Sequence, residues 1–371
     1  MRSTFGGLNT VVQGLSAQQM ALDTVGHNIS NSNTGGYSRQ RVNLVTTTPQ
    51  TIYTGRGSVQ LGTGVTTQSI TRARDTFVDQ QFWKENSSLG YNESTSENLL
   101  KIEGIFREPS STGLQTTLDN FWNAWQSLGT NASDTGMRTV VRQRGVEVVD
   151  AIKKAEQQLN DMITDANSVV EITANSINQL TKQIYDLNKQ IQNVEGGGTD
   201  HANDLRDTRD YLVDQLSKIV KVTVDEDSSG KYNIQASGVT LVSESGYEEL
   251  KTYDVVDPDY GYVTKKVRTS SLMPFEPGSG ELKGVLDSRD SEDFGAKAYL
   301  NKLNTASQFL LTEFNQQHIT GYGLDNSTGN NFFGDSNTYY TNANTNLATI
   351  QANYPSMTKV YGYSVTGTTK G

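Results

Sequence analysis

The longest regular feature of the sequence is an apolar repeat that extends from Asp134 to Val194 without a proline. From Ile152, apolar side chains recur at alternating steps of three and four residues, apart from a gap around Thr173, and this spacing is typical of a coiled-coil seam. The predicted seam consists of Ile152, Ala155, Leu159, Met162, Ala166, Val169, Ile177, Leu180, Ile184, Leu187, Ile191 and Val194. Ser133 and Asp134 are good capping residues for its start. The pattern predicts a helix of about sixty residues, roughly 90 Å long.

Shorter helices flank this element. Residues 75 to 128 show helical spacing in two runs that Pro109, Ser110, Ser111 and Gly113 separate. The apolar face of the first run is Leu89, Leu99, Leu100, Ile102, Ile105 and Phe106. A seam with aromatic residues at helical spacing is more often core than cofactor site. We therefore predict a trunk core made of Ile102, Phe106, Leu118, Phe121, Trp125, Leu159, Leu180, Ile184 and Leu187.

A return helix is predicted from about Asn203 to Val220. We interpret Gly196, Gly197 and Gly198 as the tight turn before it, because no Lys-Ser or Lys-Thr follows as a phosphate loop would require. The alternating charges of residues 203 to 210 are expected to form a solvated helix face.

Strand patterns occur in two places. Val42–Val45 and Ile52–Tyr53 are short candidates near the N-terminus. From Val222 the sequence predicts a hairpin that turns at residues 227–230, and short patterns near residues 239–242, 250–253 and 262–264 are expected to extend it. The predicted fold class is α+β, multidomain and elongated, with a long α-helical coiled-coil trunk and an inserted β-rich domain.

The first thirty residues contain a second heptad pattern, narrower than the first. Its large apolar positions are Leu8, Val11, Leu15, Leu22, Val25 and Ile29. A single amphipathic helix is marginal in water because its apolar stripe stays wet. We therefore interpret this seam as an assembly surface, although the pattern alone equally fits a helix that caps the chain's own core.

A turn rich in asparagine and glycine ends this helix. Asn and Gly tolerate positive φ, so the segment predicts a defined chain reversal. Its characteristic positions are Asn28, Asn31, Asn33, Thr34, Gly36, Tyr37 and Arg39. A heptad helix followed by this turn resembles the N-terminal signature of the bacterial flagellar axial proteins, which include rod, hook and hook-associated proteins.

Several later segments of the sequence make the resemblance more specific. Residues 102–114, 118–125, 203–216, 280–290 and 314–333 resemble the hook-associated protein 1 family, which forms the first hook-filament junction. A hook or rod protein is the near alternative. A less favoured interpretation of the function is a coiled-coil ligand-binding or signalling module, and the third is a surface hydrolase.

The resemblance implies a structural subunit that self-assembles, with about eleven copies per turn of a tubular shaft. It implies contacts with the flagellar hook protein and with hook-associated protein 3, and a flagellar export chaperone that binds a C-terminal region. It also implies type III export without a cleaved signal peptide, and an extracellular location. Members of this family end in a C-terminal helix that has a heptad repeat. Residues 334–371 show no such pattern, so we expect the chain to be a fragment of a longer protein.

Composition argues against several other functions. Among 371 residues, 41 acidic and 31 basic side chains give a net charge of -10, which does not favour nucleic acid or an acidic membrane surface. There is no cysteine, and the three histidines lie in separate segments. Asp225–Asp227 and Asp287–Asp293 lack the ligand order of a calcium loop. We predict no enzyme activity, catalytic residue, cofactor, metal site or membrane span.

These patterns predict five segments along the chain. They are an assembly helix and turn (1–60), a helical trunk (61–220), an inserted β-domain (221–280), a return helix with a linking turn (281–333), and the start of an outer β-rich domain that we expect to be truncated (334–371).

Overall fold

The computed structural model describes residues 6–106, 113–196, 201–227 and 229–334, together with two short strands near the C-terminus. The helices are α1 (Gly6–Ser30), α2 (Thr76–Phe106), α3 (Leu114–Thr130), α4 (Thr135–Glu195), α5 (Asn203–Ile219), α6 (Glu281–Asp290), α7 (Ala296–Phe309) and α8 (Asn315–His318). The strands are β1 (Gln40–Thr46), β2 (Gln50–Thr54), β3 (Gly57–Leu61), β4 (Val65–Arg72), β5 (Thr223–Glu226), β6 (Tyr232–Ala236), β7 (Val239–Val242), β8 (Leu250–Val256), β9 (Val263–Thr269), β10 (Lys359–Val360) and β11 (Tyr363–Ser364).

The chain divides into two compact units. The first unit contains Met1–Leu89 and Ser176–Glu249, and the second contains Gly90–Asn175 and Leu250–Gly371. Each unit therefore combines two separate stretches of sequence, and α2 and α4 contribute residues to both. The five predicted segments are contiguous in sequence and remain a proposal about domain organisation.

In the first unit, α1 packs on the antiparallel pair β1–β4. The pair has a register shift between Asn43 and Leu44, and the β2–β3 hairpin lies between its two strands in the sequence. The three-stranded antiparallel sheet β5–β6–β7 is also part of this unit. The buried apolar side chains of α2, α4, α5 and this sheet include Trp83, Ile177, Ile184, Ile191, Val213, Leu216, Ile234 and Leu241.

The second unit has two hydrophobic clusters. The first brings Ile102 of α2 together with Leu159 and Ile163 of α4 and with Leu300 of α7. The second surrounds Phe121 of α3 and includes Phe314, Phe332 and Phe333. Between α7 and α8 the helix passes through one π-helical turn, Leu310–Phe314. The hairpin β8–β9 completes this unit.

The predicted helices are confirmed, and α4 matches its expected bounds within one residue. Asp134 caps α4, because its Oδ1 accepts hydrogen bonds from the backbone N–H groups of Gly136 (2.7 Å) and Met137 (3.1 Å). The stop signals Pro109, Ser110 and Ser111 lie outside the described residues, as do Gly197 and Gly198 and nearly all of the predicted outer domain.

Burial along α4 corrects the predicted seam in one detail. Its most buried row repeats strictly every seven residues, and none of its members is more than 1% exposed: Ile163, Val170, Ile177, Ile184 and Ile191. We predicted Val169 in place of Val170 and omitted Ile163. A strict heptad row selects position 170, because it lies seven residues from both 163 and 177.

Two further expectations were wrong. On α2, Leu89 is 49% exposed and Leu100 is 63% exposed, so neither belongs to the core face. The strands after Val222 do not form one extended sheet, because β5–β6–β7 and β8–β9 are separate. A turn closed by the Val242–Tyr247 bridge ends the first sheet, and the two sheets belong to different compact units.

Candidate assembly surface

The predicted N-terminal seam lies on the exposed face of α1. Its members are exposed over half or more of their area: Leu8 61%, Val11 58%, Leu15 66%, Leu22 70%, Val25 51% and Ile29 69%. At 100° per residue, Ala17 and Thr24 lie on the opposite side of the helix from Leu15. Those two residues are buried. We call the exposed apolar face of α1 the ridge.

The buried face of α1 is held by the strands beneath it. Thr10 Oγ1 donates a hydrogen bond to the carbonyl of Thr63 (3.1 Å). Gly64 has φ +122°, and a Cβ there would come within 2.9 Å of the Gln13 side chain. The positive φ favours glycine at this position, whereas the Gln13 side chain could move aside. One face of α1 therefore packs on the chain itself, while the ridge remains uncovered.

The turn after α1 is organised around the side chain of Asn28. Its Nδ2 donates to the Gln40 carbonyl (2.9 Å), and its Oδ1 accepts from the Gln40 N–H (2.8 Å) and from the Tyr37 hydroxyl (2.7 Å). The Tyr37 hydroxyl also lies 3.0 Å from His27 Nδ1. Burial and the charges of two aspartates on α5 raise the pKa of Tyr37. The predicted chain reversal is therefore fixed by specific bonds.

The other predicted turn residues have smaller roles. Asn31 Nδ2 donates to the His27 carbonyl, and Thr34 Oγ1 donates to Asn31 Oδ1. Gly36 has φ +81°, and a Cβ there would lie 2.6 Å from Tyr211 Cβ, so no other residue fits without movement. Asn33 and Arg39 are exposed.

Three hydrogen bonds tie this turn and β4 to helix α5. Asp207 Oδ2 accepts from the Ser38 N–H (2.9 Å), and Asp204 Oδ1 accepts from Gln40 Nε2 (2.9 Å). Asn203 Nδ2 donates to the Ile70 carbonyl (2.8 Å). These bonds fix the base of the α1 segment against α5 within the first unit.

A buried ionic network reinforces this attachment. Arg72 contacts Asp207 (2.8 Å) and Asp210 (2.6 Å), and Arg74 contacts Asp79 (2.7 Å) and lies 3.4 Å from Asp210. Burial alone would lower the pKa of Arg72, but the neighbouring charges and hydrogen bonds of Asp210 and Asp207 outweigh it and raise the pKa.

The charged face of α5 was predicted to be solvated, and that prediction was wrong. Asp207 is 5% exposed, and Arg209 and Asp210 are fully buried. Arg72 and Arg74, which are distant in the sequence, form ion pairs with the aspartates of this face. The paired arginine side chains cover the carboxylates and exclude water from them.

A buried asparagine holds a strand against α4 in the first unit. Asn188 Nδ2 donates to the Tyr232 carbonyl (2.9 Å), and its Oδ1 accepts from the Tyr232 N–H (3.1 Å). Arg209 Nη1 donates to Asn188 Oδ1 (3.0 Å) and to the Gly230 carbonyl (2.7 Å). The side-chain amide takes the place of a neighbouring strand. We call this group the Asn188 clamp.

The second unit contains a similar group, the Asn167 clamp. Asn167 Nδ2 donates to the Val263 carbonyl (2.7 Å), and its Oδ1 accepts from the Lys265 N–H (2.9 Å). Arg289 Nη1 donates to Asn167 Oδ1 (2.7 Å) and to the Lys265 carbonyl (3.0 Å). We did not predict either clamp, although both asparagines lie on α4 three heptads apart.

The predicted trunk core residues lie in several places. Ile102, Phe121, Leu159 and Ile184 are at most 1% exposed, and Leu180 is 9% exposed. The partly buried members are Phe106, Leu118, Trp125 and Leu187. Phe106 packs against the Ile102 cluster, and Leu118 and Trp125 pack against the Phe121 cluster.

Potential metal-binding side chains are scattered among the described residues. The described residues contain no group of three or more His, Cys, Asp or Glu side chains that could hold a metal ion. His318 Nδ1 lies 2.7 Å from the Asn330 carbonyl and its ring packs on Trp125. None of the described helices combines the length and apolarity needed to cross a bilayer.

Two family models match the chain. The model described as flagellar hook-associated protein FlgK helical domain matches residues 99–333. The model described as flagella basal body rod protein matches residues 8–37, which include the ridge and most of the turn.

Curated relatives named flagellar hook-associated protein 1 are similar over most of the chain. The Bacillus subtilis protein is 32% identical, and the alignment covers 90% of this chain and 71% of that protein. The Salmonella typhimurium protein is 32% identical over 91% of this chain, and the Escherichia coli protein is 30% identical over 88%. The chain spans only 61% and 59% of these two proteins.

A solved structure, described as the flagellar hook junction protein FlgK from Burkholderia pseudomallei, has a similar fold. The TM-score is 0.56 at 22% sequence identity, covering 68% of this chain and 46% of that one.

Proposed function

Because the chain belongs to the flagellar hook-associated protein 1 family, we propose that it is a structural subunit that joins hook to filament in the bacterial flagellum. The family model over residues 99–333 favours this role over that of a hook or rod protein, since the rod model matches only residues 8–37. The exposed ridge of α1 is the observation that carries the proposal.

The ridge is large enough to form a stable interface. Seven large apolar side chains on or beside this face of α1 are 51–70% exposed: Leu8, Val11, Val12, Leu15, Leu22, Val25 and Ile29. At roughly 100 Å² each, they present on the order of 700 Å², close to what one partner contributes to a standard interface. Apolar patches on ordinary monomers are mostly smaller, about 300–600 Å².

The charge of α1 also suits close packing between copies. Between Gly6 and Ser30 the only Asp, Glu, Lys or Arg is Asp23. Interface cores are depleted of charged residues, because burying an unpaired charge is costly. Neighbouring α1 helices could therefore lie side by side without repulsion between like charges.

The attachment of the turn to α5 would orient the ridge within the first unit. Asn28 fixes the chain reversal, and Asp207 and Asp210 fix the base of the segment to a helix through Ser38 and Arg72. An assembly surface needs such support, since loosely held contacts do not give one defined geometry.

The proposal includes the partners that the family implies. The chain would self-assemble with about eleven copies per turn, contact the flagellar hook protein and hook-associated protein 3, and be held by an export chaperone before export. No enzyme activity is part of this role, and the location would be the flagellum outside the cell.

We test the proposal with Leu15→Asp on the ridge. Ser16→Asp is the matched control, because it adds the same charge to the same helix one position off the seam. In cells that lack their own copy, we expect Leu15→Asp to reduce filament number at least ~10-fold, which requires a cost of only about 1.4 kcal/mol. Circular dichroism of the purified chain should be unchanged. Normal filament numbers with Leu15→Asp would refute the role of the ridge.

A further inference from the structure

Charge is distributed unevenly along this chain. Residues 24–74 contain five arginines and no aspartate, glutamate or lysine. The whole chain carries a net charge of -10, so the residues outside this segment carry -15. We call residues 40–72, from β1 through β4, the arm. The arm and its two flanking arginines are thus basic, and the rest of the chain is acidic.

Two of the five arginines are neutralised within the first unit. Arg72 and Arg74 pair with aspartates of α2 and α5. Arg39, Arg41 and Arg56 are exposed, and none of them is in an ion pair with another described residue. The free positive charge therefore lies at the base of the arm and at its β2–β3 turn.

The outer half of the arm, which is the β2–β3 hairpin, is largely exposed to solvent. None of the described side chains between Gln50 and Leu61 is buried. Tyr53 is 85% exposed and Val59 is 56% exposed. A two-stranded hairpin is marginally stable in water without further packing, so exposed apolar residues on such a hairpin indicate a surface that packs elsewhere.

We propose that the arm docks on a carboxylate-bearing surface of a second copy of this chain. The proposal rests on the proposed function, since it requires copies that assemble. Charge complementarity identifies the occupant, because each copy offers two unpaired arginines on the arm, Arg41 and Arg56, with Arg39 directly before it, and an excess of carboxylates elsewhere. The base of the arm also contacts α1 at Thr10, so an arm contact would lie beside the ridge.

A photo-crosslink tests the occupant directly. Tyr53 is replaced by a benzophenone-bearing phenylalanine in the full-length protein within assembled flagella, and crosslinked peptides are identified by mass spectrometry. We expect a crosslink to a second copy, within or next to a run of Asp and Glu. A crosslink only to hook protein or to another protein, or no crosslink in filaments that assemble normally, would overturn the proposal.

Charge reversal then tests the arginines. We expect Arg41→Glu with Arg56→Glu to lower the crosslinked fraction about fivefold, since the reversed charges would repel the carboxylates that the arginines are proposed to meet. Arg142→Glu with Lys154→Glu is the matched control, because it changes the net charge equally at exposed positions of α4. An equal loss in both double variants would contradict a specific contact. If the crosslink to a second copy is not found but Leu15→Asp still reduces filament number, the arm contact is wrong and the proposed function stands.

Discussion

The Asn188 and Asn167 clamps hold a strand against α4 in the same way, but they neutralise their arginines differently. Arg289 forms a bidentate pair with its neighbour Asp290, at 2.7 and 2.8 Å. Arg209 forms no such pair. Its Nε and Nη2 atoms have no hydrogen-bond partner among the described residues, and its guanidinium lies 3.4 Å above the ring of Tyr232.

The two arginines also differ in their surroundings. The Asp290 side chain is 39% exposed, whereas the Asp210 side chain is fully buried and also contacts Arg72. Burial lowers the pKa of Arg209 despite the nearby carboxylates of Asp210 and Glu226. The Asn167 clamp is thus locally complete, while the Asn188 clamp shares its counter-charge with the attachment of the α1 segment.

The sequence patterns around the two arginines are nearly the same. Residues 207–210 read Asp-Thr-Arg-Asp, and residues 287–290 read Asp-Ser-Arg-Asp. Arg209 precedes its strand in the chain, whereas Arg289 follows its strand. The same four-residue pattern therefore occurs both before and after the strand that its arginine contacts. Residues distant in the sequence determine whether the aspartate that follows the arginine is buried.

The largest expected difference between the clamps comes from the aspartate after each arginine. Asp210→Asn should destabilise the first unit by about 3 kcal/mol, because removing one member of a buried ionic network leaves uncompensated charge. Asp290→Asn should cost less, about 1–2 kcal/mol, because Arg289 is buried but the Asp290 side of the pair is 39% exposed and water can replace part of the lost interaction. Hydrogen exchange at the amides of Tyr232 and Lys265 reports the two sites separately. Equal losses would show that burial of the pair does not matter.

A smaller difference is expected from the asparagines themselves. Each alanine variant removes three hydrogen bonds, but Asn188 is 2% exposed and Asn167 is 9% exposed. Asn188→Ala should cost about 2–3 kcal/mol and Asn167→Ala about 1–2 kcal/mol, because water reaches the second site more easily. Urea unfolding measures both, with Ser168→Ala as a control on the exposed face of α4. A larger loss for Asn167→Ala would reverse the comparison.

The smallest effect at neutral pH concerns the tyrosine beneath Arg209. Burial and the charge of Asp210 raise the pKa of Tyr232 above its usual value of 10.0. The folded state then holds this proton more tightly than the unfolded state, so stability is lost as pH rises above about 10, by ~1.4 kcal/mol per pH unit. Tyr232→Phe should flatten that loss in urea unfolding from pH 9 to 11.

A tyrosine of the second unit provides the matching control. Burial and the charges of Asp259 and Asp257 raise the pKa of Tyr260 to about 12. Tyr260→Phe should therefore also flatten the alkaline loss, but only over the window from about pH 10 to 12. If neither phenylalanine variant changes the pH dependence, the two hydroxyls are not held protonated by the fold.

The helices were predictable because their signals are local. The heptad pattern of α4 and its Asp134 cap are contained in the sequence around them. The ridge of α1 was predictable in part: the heptad spacing of Leu8, Leu15 and Leu22 defines one helix face, but that spacing alone does not decide whether the face is covered.

The buried charges were not predictable, because they depend on partners distant in sequence. Arg72 and Asp210 are separated by 138 positions, and a pattern of alternating charges on one helix looks the same whether it faces water or cations. Asn167 and Asn188 did leave a signal, since they follow Ile163 and Ile184 of the buried row by four residues and so lie on the same face of α4. Polar residues on the buried face of a long helix usually have a specific partner.

The π-helical turn at Leu310–Phe314 has a consequence for how this family can vary. A π-turn holds one more residue per hydrogen-bonded ring than an α-turn. Leu300 and Leu303 before it belong to the Ile102 cluster, whereas Leu310 and Phe314 belong to the Phe121 cluster. The surplus residue lets a single continuous helix adjust its rotation between two separately packed cores. One residue inserted in this helix is thereby accommodated at the π-turn, and each of the two cores can keep its own packing.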